Sequence, residues 1–239
     1  MDKELIEKLM QLLSQFQGLI EQAKMESTEK YKQNEGESLS AFRFLLDSFI
    51  ADLSLQFCHK IDNITESQSY QLSISLSMIQ SHFIINDLIL EGNILEASVL
   101  IRKQLENLTR LHELENIPIA KLLKKTPNVY NTLKKFAKKT YTDLSEVAHF
   151  GTPRVSKLMG HSEYPDGRAG ASLFPLFSMQ SVETYKIHAS ISTLFVGWLT
   201  SFAEKMYKEN NEHKEINDLL SDEITIQAFK SGVLLIREE

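Results

Sequence analysis

The sequence predicts an all-α protein: an up-and-down bundle of four to five long helices with short extra helices and one long loop at about 151–177. Three observations carry that prediction. Apolar residues recur at three- and four-residue intervals along most of the chain. Only nine Gly and five Pro interrupt 239 residues, far fewer than the turns of a β-sandwich or barrel require. The hydrophobic share of 42% against 24% charged is that of an ordinary globular chain. One helical domain over 1–239 is expected, with a long helix at 1–35, a main bundle at 38–208 and a C-terminal helical extension at 212–239.

Taken in order, residues 3–32 form the first helix. Leu5, Leu9, Leu12, Phe16, Leu19 and Ala23 alternate four and three apart, a coiled-coil-like stripe that packs inside the domain or against another copy. Ser38 or Ser40 caps a second helix to about Asn63, with Phe42, Leu45, Leu46, Phe49, Leu53, Phe57 and Ile61 inward. Residues 66–91 alternate with period two around Leu72, Ile74, Leu76 and Met78, yet their length favours a helix facing inward through Leu72, Leu76, Ile79, Phe83 and Leu90. Gly92 and Asn93 end it. A fourth helix spans 94–115, and a short piece lies at 120–125. Thr126 then caps a helix with Pro127 in its first turn, running to about Phe150 with a bend near Thr140–Thr142. Gly151, Pro153, Gly160, Pro165, Gly167, Gly170 and Pro175 mark the long loop. Helices at 179–208 and from about 212 to Ile236 complete the chain.

Several classes fall away on composition. The single cysteine, Cys58, admits no internal disulfide and no cysteine-based zinc site, and its apolar run suggests a small buried hydrophobe. Met1–Glu4 lacks the basic-then-apolar order of a signal peptide, which points to a cytoplasmic protein. Residues 187–203 carry no formal charge, but their His, Ser and Thr content suits a helix buried in a bundle better than a membrane span. The net charge of −6 conceals a basic stretch: Lys121–Lys157 holds nine basic and two acidic residues, leaving −13 for the remainder.

Arg102 and Glu106 lie one helical turn apart, as do Arg110 and Glu113, and both pairs fit intrahelical ion pairing. Arg102, flanked by Ile101 and Leu105, also suits a guanidinium that holds an anion in a cleft. Asp143, Ser145, Glu146 and His149 cluster on one segment. A Ser–His–carboxylate triad, a Glu-x-x-His metal element and a helix-terminal histidine are the alternatives there. Lys121, Lys124, Lys125, Lys134, Lys135, Lys138 and Lys139 occupy 19 acid-free residues with Tyr130, Phe136 and Tyr141 interleaved. That pattern suits phosphate neutralisation or a solvated face.

Arg154 and His161 are separated by six residues. A helical bundle with an arginine followed after four to six residues by a histidine resembles the HEPN superfamily, which includes many bacterial RNA-cutting toxins and phage-defence proteins. Arg102 and Glu106, followed by Leu144 to His149, are similar to an uncharacterised bacterial branch of HEPN-like proteins. The resemblance covers roughly 40–205. It implies an RNA-cutting cleft at a homodimer interface without metal or cofactor. Its catalytic residues would be His149, Arg154 and His161, with His149 as an alternative counterpart of His161. Here the Arg154 element straddles Gly160 and is followed by Val155 where the family carries a polar residue. Arg102, Lys134, Lys135, Lys138 and Lys139 are the anion- or RNA-binding candidates. The expected protein binds RNA or another polyanion, as a homodimer and without a membrane, and is a metal-independent endoribonuclease of a defence or toxin type if it is an enzyme. The alternative is a non-enzymatic, homodimeric interaction or scaffold module that recruits other proteins. A weaker third reading is a metal enzyme using Glu146 and His149.

Overall fold

Long amphipathic segments with few breaks give a helical bundle. The computed structural model describes residues 2–61, 63–149, 151, 155, 158, 161–163, 169–207 and 214–234, with backbone alone at 134–136, 161–163, 169–171, 214 and 215. The long helices are α1 (Lys3–Asn34), α2 (Glu37–Gln56), α3 (Glu66–Leu90) and α4 (Ile94–Asn116). Two single turns follow, α5 (Ile119–Leu122) and α6 (Val129–Thr132), then α7 (Lys134–Ala148). Strands β1 (His161–Glu163) and β2 (Ala169–Ala171) form a small hairpin before α8 (Met179–Met206) and α9 (Lys214–Lys230).

Caps set several of these ends. The Asp2 carboxylate accepts from the Glu4 amide at the start of α1, and Thr65 with Gln68 makes a capping box at the start of α3. Between α1 and α2, Arg43 grips Glu35 with two hydrogen bonds, Nε to Oε2 at 3.1 Å and Nη2 to Oε1 at 2.8 Å. That clamp holds a turn at Gly36, whose φ of 74° suits glycine, so α2 begins at Glu37 and not at a serine cap. At the α3–α4 turn Gly92 has φ 85°. A Cβ there would lie 2.6 Å from Ser27 Oγ and 2.9 Å from the Leu176 carbonyl, so glycine lets α1 and the 172–178 segment close over the turn.

Helix α8 is the centre of the bundle, contacting α1, α2, α3, α4 and α9. Tyr185, Ile191, Phe195, Val196, Leu199 and Phe202 are buried, each contributing about 1.5–3 kcal/mol of apolar transfer. The core continues through Phe42, Leu46, Phe49 and Leu53 of α2, Leu105, Leu108 and Leu111 of α4, and Ile224 and Ala228 of α9. The C-terminal helix is thus part of the same core, and Gln56 of α2 donates to Asn217 within it at 3.3 Å. Helix α3, by length and composition, is apolar enough to cross a membrane, and half of the relevant window is buried in the bundle.

A polar seam runs through this core. His82 on α3 donates from Nε2 to Asp47 Oδ1 at 2.7 Å, and its Nδ1 accepts from the Ser192 hydroxyl at 3.1 Å. Asn86 donates to the same carboxylate oxygen at 2.9 Å. The buried His188 ring lies 4.7 Å from that of His82, with no hydrogen-bond partner for either ring nitrogen among the described residues.

Six expectations need correction. Helix α3 does not bury Leu76 and Phe83, which are 43% and 38% exposed; its inner face is Gln71, Ile74, Ser75, Met78, His82, Ile85, Asn86 and Ile89, because the seam draws its polar residues inward. Helix α2 stops at Gln56 instead of Asn63, where Phe57 turns to stack on Phe202 and meets the Tyr207 ring at a tilt. Cys58 consequently sits in a turn and is exposed. The helix expected from Pro127 begins only at Val129, capped by Asn128, and breaks at Leu133 before α7. Arg110 and Glu113 cause this: Arg110 donates to the Lys125 carbonyl, and Glu113 accepts from the Asn128 amide at 2.8 Å, tying 125–128 to α4. The stretch 151–177 contains the β1–β2 hairpin, with His161 opposite Ala171 and Glu163 opposite Ala169. Helix α9 ends at Lys230, where Gly232 (φ 70°) reverses the chain.

Burial, and secondarily the adjacent His82 ring, push His188 well below its ordinary value of 6.5. Below pH 6.5 the unfolded chain takes up a proton at this position that the folded chain refuses. Stability is therefore fullest above that value and falls as pH drops, by up to about 1.4 kcal/mol per pH unit for this one proton. In urea unfolding across pH, His188→Phe is expected to flatten that slope.

Candidate functional site

Helix α4 is an amphipathic rod whose apolar residues, Ile101, Leu105 and Leu108, enter the core. Arg102 and Glu106 therefore emerge together on its flank, one turn apart, at the seam with α7. Helix α7 buries Ala137, Leu144 and Val147. Its next face carries Tyr141, Ser145 and His149 at four-residue spacing. The contacts run antiparallel, with Glu106 opposite Tyr141 and Arg102 opposite His149. A satellite cluster of Ile94, Val147 and Leu158 holds the end of α7 beside the start of α4.

The Arg102 guanidinium is the hub. Nη1 donates to His149 Nε2 at 3.0 Å, and Nη2 donates to the Tyr141 hydroxyl at 3.3 Å and pairs with Glu106 Oε1 at 3.2 Å. Tyr141 in turn donates to Glu106 Oε1 at 2.9 Å, and its ring centroid lies 5.3 Å from Arg102 Cζ. The Tyr141 hydrogen bond holds the guanidinium above its ordinary value, opposed by desolvation and reinforced by Glu106. A guanidinium only donates, so His149 Nε2 must be the acceptor and the ring proton sits on Nδ1. Arg102 Nε is buried and has no partner among the described residues.

Tyr130 packs edge-on against Tyr141 at 5.8 Å, and the Lys138 ammonium lies 5.8 Å from the Tyr130 ring. Exposed cation, aromatic pair, guanidinium and imidazole thus form one continuous strip. Lys139, one residue on, turns into the neighbouring groove between α7 and α8. That groove holds about 520 Å³ and is also lined by Asp143, Glu183 and Lys186.

Of the residues singled out by sequence, Arg102 and His149 converge, Lys138 lies beside them, and Lys139 faces the adjacent groove. Lys134 and Lys135 open α7, but their side chains lie outside the described residues. Arg154 lies outside the described residues entirely, and His161 is described only as backbone in β1. The intrahelical ion pair expected of Arg102 and Glu106 is formed, at 3.2 Å. Ser145 donates to the Tyr141 carbonyl at 2.6 Å, a backbone bond of the α7 interior, so its hydroxyl is not directed at His149. Among the described residues no three His, Cys, Asp or Glu side chains gather as a metal site. Tyr141, singled out in the sequence only as one of the aromatics interleaved in the basic stretch, is the residue that links Arg102 to Glu106. Its signal was spacing, since it stands two turns before His149 on the same face. Comparison with known protein families, with curated proteins and with solved structures gave no match.

The geometry makes a specific spectroscopic demand. Long-range ¹H–¹⁵N correlation of histidine-labelled protein is expected to show His149 with an unprotonated Nε2 and a protonated Nδ1. Arg102→Gln should abolish that tautomer preference, whereas Tyr141→Phe should retain it.

Proposed function

We propose that this chain binds RNA along the Lys138–Tyr130–Tyr141–Arg102 strip and cleaves it at His149 without a metal, as an HEPN-like ribonuclease of a bacterial defence or toxin type. The observation that supports this reading is the 3.0 Å contact between Arg102 and His149, two residues 47 positions apart, which joins an arginine of α4 to the end of the chain's basic stretch. Arginine matches phosphate geometry, aromatic faces accept unstacked bases, and an imidazole beside a bound phosphate is a ready proton acceptor.

In the resting site His149 Nε2 is occupied by Arg102. A phosphate arriving at the guanidinium competes for that donor and frees Nε2. The imidazole then takes the proton of the neighbouring ribose 2′-hydroxyl, and the 2′-oxygen attacks phosphorus. The 5′-oxygen leaves and gains a proton from water, and the hydroxide so formed takes back the proton held by His149, yielding a 2′,3′-cyclic phosphate, a 5′-hydroxyl and a neutral imidazole. Arg102 stabilises the charge on the phosphoryl oxygens, and Glu106 with Tyr141 keeps the guanidinium oriented.

Labelled single-stranded RNA tests each part. Binding by anisotropy should weaken steeply with salt. Arg102→Ala should weaken it about tenfold, the loss of one phosphate contact worth about 1.4 kcal/mol. His149→Ala should lower cleavage in chelator-treated buffer about 100-fold while leaving affinity close to wild type. A strand with a 2′-deoxyribose at the cut position should bind and stay intact. Intact RNA after prolonged incubation with wild-type protein would remove the nuclease and favour the second reading, a non-catalytic interaction module, which the exposed apolar stripe of α1 supports.

A further inference from the structure

Helix α1 is 32 residues long, yet only Ser27 and Tyr31 are buried in it. Before Ser27 the described contacts with the body include the Lys24–Glu91 ion pair at 3.3 Å and a ring contact between Phe16 and Phe174. The part before Ser27 is an arm of about 36 Å. Along it Leu5, Leu9, Leu12, Leu13, Phe16 and Leu19 are between 41% and 57% exposed. Such an array of half-exposed leucines and a phenylalanine is costly in water and is the pattern of an interface.

We propose that α1 pairs antiparallel with α1 of a second copy of this chain, making a symmetric two-helix seam, independently of any RNA activity. Four features select that occupant and that direction. Leu5, Leu9, Leu12, Phe16, Leu19 and Ala23 keep the alternating four- and three-residue spacing of a coiled-coil seam. With the two arms crossing at Ser14, Leu12 faces Phe16 of the second copy, Leu9 faces Leu19, and Leu5 faces Ala23, so the bulkiest layers lie at the centre of the seam and the smallest at its ends. The seam's flanks then sort by polarity. Ile6, Leu13 and Ile20, seven residues apart, meet their own kind on one side, while Lys8, Gln15 and Gln22 meet on the other. A parallel pair would set each apolar flank against a polar one. Finally, each arm joins its body at its C-terminal end, so antiparallel pairing places the two bodies at opposite ends, and the helix dipoles run head to tail.

Area and charge agree with a second copy. At roughly 100 Å² per half-exposed side chain, the six residues offer about 600 Å² per copy, close to the ~800 Å² per partner of a standard interface. The twelve residues Leu9 to Ile20 carry no charge, and pairing about Ser14 lays that stretch on itself. A lipid surface fits poorly, because the charges flanking it, Glu4, Glu7, Glu21 and Glu26 against Lys3, Lys8 and Lys24, are net acidic, whereas interfacial helices carry basic ones.

The test is the mass of the full chain in solution by sedimentation equilibrium and light scattering. The expected result is twice the chain mass of 27.4 kDa. Leu12→Glu should raise the dimer dissociation constant about 100-fold, the equivalent of one lost leucine burial, with the thermal midpoint of the diluted, monomeric protein unchanged. Direction is read from a spin label at Glu4→Cys in a Cys58→Ser background. Antiparallel arms place the two labels about 30 Å apart along the axis, and parallel arms about 10 Å. A wild type that stays monomeric at its solubility limit overturns the proposal. So does a short label distance, binding to phosphatidylcholine–phosphatidylglycerol vesicles in place of self-association, or a Leu12→Glu variant whose lost stability shows that the arm docks on its own body.

Discussion

Helix α8 lies under neighbours on nearly every side, and everything it carries inward has to be met there. Its apolar residues find the hydrophobic faces of α2, α4 and α9. Its polar residues cannot be left to water. Ser192 finds His82, which finds Asp47 and, through the same carboxylate, Asn86. Directional hydrogen bonds tolerate far less sliding than apolar contacts, so this seam sets the register of α2, α3 and α8 where hydrophobic packing alone would leave it loose. His188 is the costly member, a ring held neutral in the interior with neither nitrogen bonded among the described residues.

That register reaches the candidate site through α4. The helix is wedged between α3 and α8, which leaves one flank for α7. Arg102 and Glu106 occupy that flank, and Tyr141 and His149 come to them because α7 returns antiparallel. The return is arranged by Arg110 and Glu113, a nearly buried pair that fastens the 125–128 turn to α4. Two arginine–glutamate pairs on one helix thus have different tasks. The inner pair shapes the connection, while the outer pair keeps a guanidinium oriented yet about a quarter open to solvent. A partly open guanidinium is useful for anions: a fully buried one would be spent on internal partners, and a fully exposed one would be mobile and screened.

The basic stretch also gains a definite shape. Lys138 leans over Tyr130 beside the Arg102 site, and Lys139 turns to the groove next to α8. One residue of helical rotation separates a cation on the proposed RNA path from a cation among the carboxylates Asp143 and Glu183. Local charge density alone does not distinguish them.

The helices themselves were legible in the sequence, because helix formation answers to periodicity over a few residues, as in the α1 stripe, whereas the caps expected at Ser38 or Ser40 and at Thr126 fell instead to Gly36 and Asn128. Arg102 and His149 were legible as residues of interest, the one for its apolar neighbours and the other for the motif it ends. Their meeting, and the part played by Tyr141, were not, since both depend on how α7 folds back across 47 residues of chain. The inner face of α3 was misread for the same reason. His82 and Asn86 look like a solvent face until Asp47 and Ser192, 35 and 110 residues from His82, are seen to receive them. Local sequence determined where helices form and which faces are greasy. Which polar groups go inside was decided only by tertiary structure, because a buried donor is stable only where a distant segment supplies its acceptor.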